Sequence, residues 1–192
     1  DETQIQNAKS NLGFNDNDII ICFFSRMEKF SQSYCDVCIE ILKLNKNIRF
    51  LFAGSNDPSL LKRNFSNHIK SNRVTILPSS DVHVLGNLAT IGLETFPLTA
   101  GASSIELMAK GIPVITMSNS NQNENLSYRI EDLICENKKE VLEKITLLIN
   151  DEIFYKTCSN KSKEFVYNQQ KPIELYNAIN NSILQSSTSN WN

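Results

Sequence analysis

The sequence predicts an α/β protein: a doubly wound parallel sheet with extra helices at its C-terminal end. Three observations point there. Short β-branched runs alternate with segments whose apolar residues recur at helical spacing. The first of those runs, Ile19-Ile20-Ile21-Cys22-Phe23-Phe24, is apolar without interruption, as suits a strand buried on both faces. Glycine or proline punctuates the pattern, at Gly13, Gly54, Pro78 and Gly111.

Residues 3–11 are expected to form a short helix ended by Gly13, and Asp18–Phe24 the first strand. Ser31–Leu44 carries Tyr34, Val37, Cys38, Ile41 and Leu42 on one helical face. Ile48–Ala53 is the second strand, closed by Gly54. Asp57-Pro58 opens another helix, proline being well placed near a first helical position. Arg73–Leu77 is the third strand and Pro78 stops it; a short helix over Asp81–Leu88 leads to the fourth strand, Thr90–Leu93. A small, hydroxyl-rich turn from Pro97 to Ser104 then runs into a helix that ends at Gly111, and the strand Pro113–Met117 follows. A helix near Asn123–Arg129 leads to a brief strand, Asp132–Cys135. Helices over 137–149, 151–168 and 171–186 close the chain, and the polar tail 186–192 is expected to fray. No repeat, low-complexity block or linker interrupts, so residues 1–192 read as one domain.

Composition narrows the function classes. The 192 residues are 41% hydrophobic and 21% charged, ordinary for a soluble globular domain. A net charge of -2 argues against a nucleic-acid-binding surface. No apolar run approaches the roughly 20 residues of a membrane helix. Asp1-Glu2-Thr3-Gln4 lacks the basic start and apolar core of a signal peptide, and is equally compatible with a cut inside a longer protein. The five cysteines are odd in number and scattered, unlike a secreted disulfide framework. Cys35 and Cys38 form a CxxC, but it falls inside a helical pattern, and the histidines are only His68 and His83. Buried reduced thiols, no metal site and a cytoplasmic protein are therefore expected.

In doubly wound sheets ligands bind outside the carboxyl ends of the strands, which sorts the candidate residues. After the first strand, Ser25-Arg26-Met27-Glu28-Lys29 offers two cations suited to a pyrophosphate, or two solvated loop charges. After the third, Pro78-Ser79-Ser80-Asp81-Val82-His83 offers backbone groups for a base edge and a histidine that stacks or donates; a plain surface histidine is the alternative. After the fourth, Gly101, Ala102, Ser103 and Ser104 sit where a helix begins. There the orphan N–H groups and the positive dipole end suit a phosphate, and both serine hydroxyls are available to it. An ordinary N-cap reads the same way. Glu106 is placed to reach a sugar hydroxyl beside that phosphate, or to complement the dipole. GxGxxG, GxxxxGK[ST] and Gly-x-Ser-x-Gly are all absent, which disfavours common NAD sites, P-loops and hydrolase elbows.

The run from Glu94 to Thr116 resembles the donor-binding motif of GT-B glycosyltransferases: a Gly/Ser/Thr turn, a helix with an acidic residue, then Gly111-Ile112-Pro113-Val114. Phe24-Ser25-Arg26-Met27-Glu28-Lys29 is similar to the Phe-x-x-x-x-Lys segment of the O-GlcNAc transferase and SPINDLY group. Glu94-Thr95-Phe96-Pro97 is similar to the Asp-Thr-Pro or Pro-Phe-Pro sequence of that group and its bacterial HMW1C-type relatives. The resemblance runs over residues 18 to about 185.

It implies a Rossmann-like domain, the C-terminal, donor-binding half of a GT-B enzyme, with a UDP-sugar as donor and no cofactor. Lys29 would stabilise the leaving diphosphate with Arg26 nearby, Gly101, Ala102, Ser103 and Ser104 would bind phosphate, and Glu106 the ribose. Pro78 to His83 would face the base. The partners implied are the N-terminal half of the same enzyme and a protein or glycan acceptor. Two departures stand out: Gly-Ala-Ser-Ser replaces the family's frequent Gly-His-Thr-Thr or Gly-Asn-Thr-Asn, and Gly101 to Gly111 is one residue shorter than in O-GlcNAc transferase. Two other readings stay open. One is a nucleotide-sugar 2-epimerase half, for which Glu94 is the only plausible acid/base carboxylate. The other is a non-catalytic nucleotide-binding module.

Overall fold

The computed structural model describes residues 2–78, 80–99, 101–118 and 130–169. The expected helices near Asn123–Arg129 and over 171–186, and the tail 186–192, lie outside them. The strands are β1 (Ile19–Phe24), β2 (Ile48–Ala53), β3 (Val74–Leu77), β4 (Ile91–Leu93), β5 (Val114–Met117) and β6 (Ile134–Cys135). Between and around them run α1 (Glu2–Asn11), α2 (Gln32–Leu44), α3 (Ser59–Asn64), α4 (Ser66–Lys70) and α5 (Val82–Gly86). Then come α6 (Gly101–Ala109), α7 (Lys138–Asn150) and α8 (Glu152–Gln169).

All neighbouring strands pair in parallel, in the order β3-β2-β1-β4-β5-β6. The expected α/β class and Rossmann-like winding are therefore what the chain adopts. The chain runs outward from β1 to β3, returns, and runs outward again from β4, so strand order reverses between β1 and β4. A crevice opens at such a point, because the connections on its two sides leave in opposite directions.

The core follows from the apolar runs. Residues Ile20 to Phe24 of β1 are all buried, and Phe50, Leu51, Phe52 and Ala53 of β2 lie beside them. The five residues expected on the inner face of α2 are all buried there. Phe30, Tyr34, Phe52, Phe65 and Phe96 form a chain of tilted and edge-to-face ring contacts under the β1–α2 connection. Helix α6 stops as a Schellman motif: the Ile112 N–H donates to Leu107 O at 3.1 Å and the Gly111 N–H to Met108 O at 2.9 Å. Gly111 takes φ +78° there, a conformation that disfavours any side chain.

Pro58 stands at the N-cap of α3, immediately before its first residue, in line with the expected helix start. Two expectations need correcting. The helix expected from there is two short ones, because Phe65 turns fully into the core and interrupts the helical backbone between α3 and α4. The strand expected over Asp132–Cys135 is a 3-10 turn, Glu131–Leu133, followed by the two-residue β6.

Candidate functional site

The loops after β1, β2, β3 and β4 meet at the carboxyl edge of the sheet. The first two are bound together by their backbones. The Ser25 N–H donates to Ala53 O at 3.0 Å and the Met27 N–H to Ser55 O at 2.9 Å. Gly54 lies under this strap, so close that a Cβ there would stand 1.7 Å from Ser25 O. Asn56, held at φ +76°, donates its side-chain amide to Glu28 at 2.6 Å, and that bond holds the Glu28 carboxyl below the usual range. The result is a preformed floor, not a pair of loose loops.

A cleft of about 210 Å³ opens on that floor, lined among others by Ser25, Arg26, Gly54, Ser55, Ser80 and Ser103. A second, of about 240 Å³, shares Gly54 and Ser55 with it and includes Lys62, Asn56 and Pro78 in its wall. Arg26 is exposed and forms an ion pair with Glu28 at 3.3 Å. His83 is exposed, beginning α5 behind Asp81, whose carboxylate caps the His83 N–H at 2.8 Å. Lys29 is half-buried and reaches across to the β4–α6 connection, where it donates to Thr99 O at 2.5 Å. That connection is held from the same side by Ser31, which donates to Phe96 O, and by Tyr34, which donates to Leu93 O.

Helix α6 divides its polar residues between two faces. Ser103 and Glu106 are three apart and share a face. Ser103 lines the cleft while donating to Phe24 O at 2.5 Å, and Glu106 is half-buried without a hydrogen bond or ion pair among the described residues. Ala102 is exposed and Gly101 half-buried at the first turn, whose N–H groups have no partner within the helix. Ser104 departs from expectation: it is 1% exposed and donates its hydroxyl to Glu94 at 3.0 Å. Only one of the two serine hydroxyls therefore borders the cleft. Glu94 itself is fully buried and also accepts from Thr116 at 2.8 Å. A carboxylate so enclosed cannot act as acid or base on a sugar in the cleft, and the 2-epimerase reading loses its one candidate.

The structure thus brings Arg26, Ser103 and the loop containing Ser80 to one cleft, and places Pro78 on its neighbour. Lys29, His83 and Glu106 stand outside both linings. Ser25, Gly54 and Ser55 were not anticipated, although the strand-end rule applied to β2 points to the last two. Elsewhere, all five thiols are buried and unpaired, and burial pushes their pKa values up. Among the described residues no three His, Cys, Asp or Glu side chains gather as a metal site, and no helix is long and apolar enough to cross a membrane.

The family model for glycosyl transferases group 1 matches residues 4–165. The chain belongs to that family. No curated protein matches it. Among solved structures, it is similar to Anabaena Alr3699/HepE, determined in complex with UDP and glucose, at a TM-score of 0.77 and 15% identity, over 96% of this chain and 53% of that one. A glycosyltransferase from Rickettsia africae gives 0.75 and 19%, over 98% and 53%. The O-GlcNAc transferase of Thermobaculum terrenum gives 0.69 and 17%, over 82% and 34%. At these identities the likeness is one of fold, and the chain spans about a third to a half of each neighbour's length. In this group 1 glycosyl transferase domain the cleft is lined by the loops after β1, β2 and β3, with Arg26 among them, and by Ser103 from the first turn of α6, while Lys29 and Glu106 lie outside its wall.

Proposed function

We propose that this chain is the donor-binding half of a GT-B glycosyltransferase, similar to the O-GlcNAc transferase, SPINDLY and HMW1C-type group, and that its donor is a UDP-sugar. The observation that carries the reading is the convergence of the loops after β1, β2 and β3 with Ser103 of α6 on one cleft, in a chain of this family. The neighbour solved with UDP and glucose supports the same nucleotide class.

In this reading the first-turn N–H groups of Gly101, Ala102 and Ser103 bind the diphosphate, with Ser104 supporting them from inside. Glu106 takes the ribose hydroxyls, and the loop from Pro78 to His83 faces uracil. Lys29 exchanges Thr99 O for a phosphate oxygen, and Arg26 closes from the other side. As the bond from the sugar's anomeric carbon to the diphosphate breaks, the bonding pair leaves on the phosphate oxygen. Lys29 and the α6 dipole stabilise that charge. No cofactor or metal ion enters this scheme, and the acceptor and its base come from the N-terminal half of the enzyme.

Titrating UDP into the full-length protein by calorimetry tests the reading. The wild type is expected to bind. Lys29→Ala removes a charge-assisted contact worth about 1.5–3 kcal/mol, so affinity should fall roughly tenfold to a hundredfold, and Glu106→Ala should fall by a smaller factor. No binding by the wild type, or unchanged binding by both variants, refutes it.

A further inference from the structure

The side chain of Glu94 has no place in the scheme above, yet burying a polar group is costly unless it is hydrogen-bonded. Glu94 directly follows β4 and is 0% exposed, and its own N–H donates to Ile115 O of β5 at 2.9 Å. One carboxylate oxygen accepts from Ser104 of α6 at 3.0 Å, the other from Thr116 of β5 at 2.8 Å.

Ser104 is the fourth residue of α6, so the link acts inside the first turn, from which Ser103 borders the cleft. Neighbouring Ser103 is held by Phe24 O of β1. The helix start is therefore tied down at two successive residues, one tie running to each side of the strand reversal. Leu107 and Met108, both buried, anchor the rest of the helix by packing.

We propose that Glu94 is a positioning residue for the nucleotide site. It acts through Ser104 to set the rotation and height of the α6 N-terminus against β4 and β5, and so aims the first-turn N–H groups and Glu106. The inference rests on the donor reading above. Binding groups work only when held close to their productive geometry, so the link is expected to appear in nucleotide affinity and not only in stability.

The test is calorimetric binding of UDP to full-length wild type, Ser104→Ala, Glu94→Ala, the double variant and Glu94→Gln, each held below its melting transition. Ser104→Ala and Glu94→Ala should each weaken UDP by roughly tenfold, and the double variant should be no weaker than Glu94→Ala alone. Glu94→Gln should stay within about threefold of wild type, because its amide oxygen still accepts from Ser104 while the Thr116 hydroxyl turns to accept from the amide nitrogen. A purely structural Glu94 would lower the melting temperature and leave the affinity of the folded variants unchanged, and that result overturns the proposal. So does a multiplicative loss in the double variant, which would mean that Ser104 acts on the ligand by itself. Should Glu94→Ala fail to fold, Ser104→Ala decides alone, and wild-type affinity there overturns it. Wild type that does not bind UDP removes the donor reading and this inference together; binding wild type with unaffected variants removes only this one.

Discussion

Gly54→Ala is the most informative perturbation of this fold, because its effect depends on one backbone contact. A Cβ at Gly54 would stand 1.7 Å from Ser25 O and 2.8 Å from Ser25 C, both backbone atoms that no rotamer change can move. The strap over the end of β2 must lift, which puts at risk the Ser25–Ala53 and Met27–Ser55 hydrogen bonds at 3.0 and 2.9 Å. Overpacking costs about 1–3 kcal/mol and each net hydrogen bond about 1, so a loss of roughly 3–5 kcal/mol is expected. For a domain of this size that lowers the melting temperature by roughly 6–20 °C. Gly86→Ala is the matched control. Its Cβ would meet Lys110 Cε at 3.0 Å and Cδ at 3.2 Å, the movable part of a flexible side chain, so little stability should be lost. Circular dichroism melts of both variants decide the matter. Gly54→Ala melting within about 2 °C of wild type, or Gly86→Ala losing as much as Gly54→Ala, would refute the reasoning.

The Arg73 guanidinium donates to Leu42 O at 2.6 Å, Asn45 O at 2.7 Å and Ile48 O at 3.3 Å, joining the end of α2 to the start of β2. Arg73→Ala should cost about 2–4 kcal/mol in urea unfolding, and Arg73→Lys should recover less than half, since an ammonium cannot span the three acceptors. The Cys35 and Cys135 thiols are pushed up to about 11 by burial, so at pH 8 about one in a thousand is thiolate. All five cysteines should resist a disulfide-exchange reagent until the chain unfolds; rapid labelling of native protein would contradict the packing. Lys161 donates to Asp132 at 2.5 Å and holds its carboxyl below the usual range. A depressed folded value means that the pair's contribution is complete above the ordinary carboxylate pKa of about 3.9 and is lost as pH falls through the lower folded value. Asp132→Asn should therefore make stability fall less steeply below about pH 4, and an identical slope in the two proteins would show the pair to be inert.

The sheet was legible because its strands are buried on both faces, and burial writes itself as uninterrupted apolar runs. Ile19 to Phe24 and Ile48 to Ala53 could be read almost to the residue. Where the reading went astray, a tertiary contact had overruled a local pattern. Asp57 onward looks like one helix, and only the packing of Phe65 against Phe52, 5.8 Å between ring centres, shows why the chain turns there. The floor of the cleft was hidden for a different reason. Loops after three strands carry charges, a histidine or a hydroxyl-rich turn, whereas Gly54 contributes by having no side chain at all. A residue that matters through absence leaves no chemical signal, and only its position at a strand end could have flagged it.

The two serines show how much of a site periodicity can recover. Gly101-Ala102-Ser103-Ser104 reads naturally as one polar cradle, but a helix turns each successive residue by about 100°, so neighbours cannot face the same way. Ser104 falls in register with Leu107 and Met108, three and four residues on, and that stripe is buried. Ser103 falls in register with Glu106 and stays at the cleft. The sequence therefore held enough to separate the pair, and to ask what an inward hydroxyl on an otherwise apolar stripe would bond to. The answer, Glu94, could not be reached that way, because it meets Ser104 of α6 and Thr116 of β5 across 10 and 22 residues of sequence. A carboxylate at a strand end beside a phosphate cradle looks like chemistry. Its burial beneath two hydroxyls makes it framework, and framework under a helix N-terminus governs where that helix points.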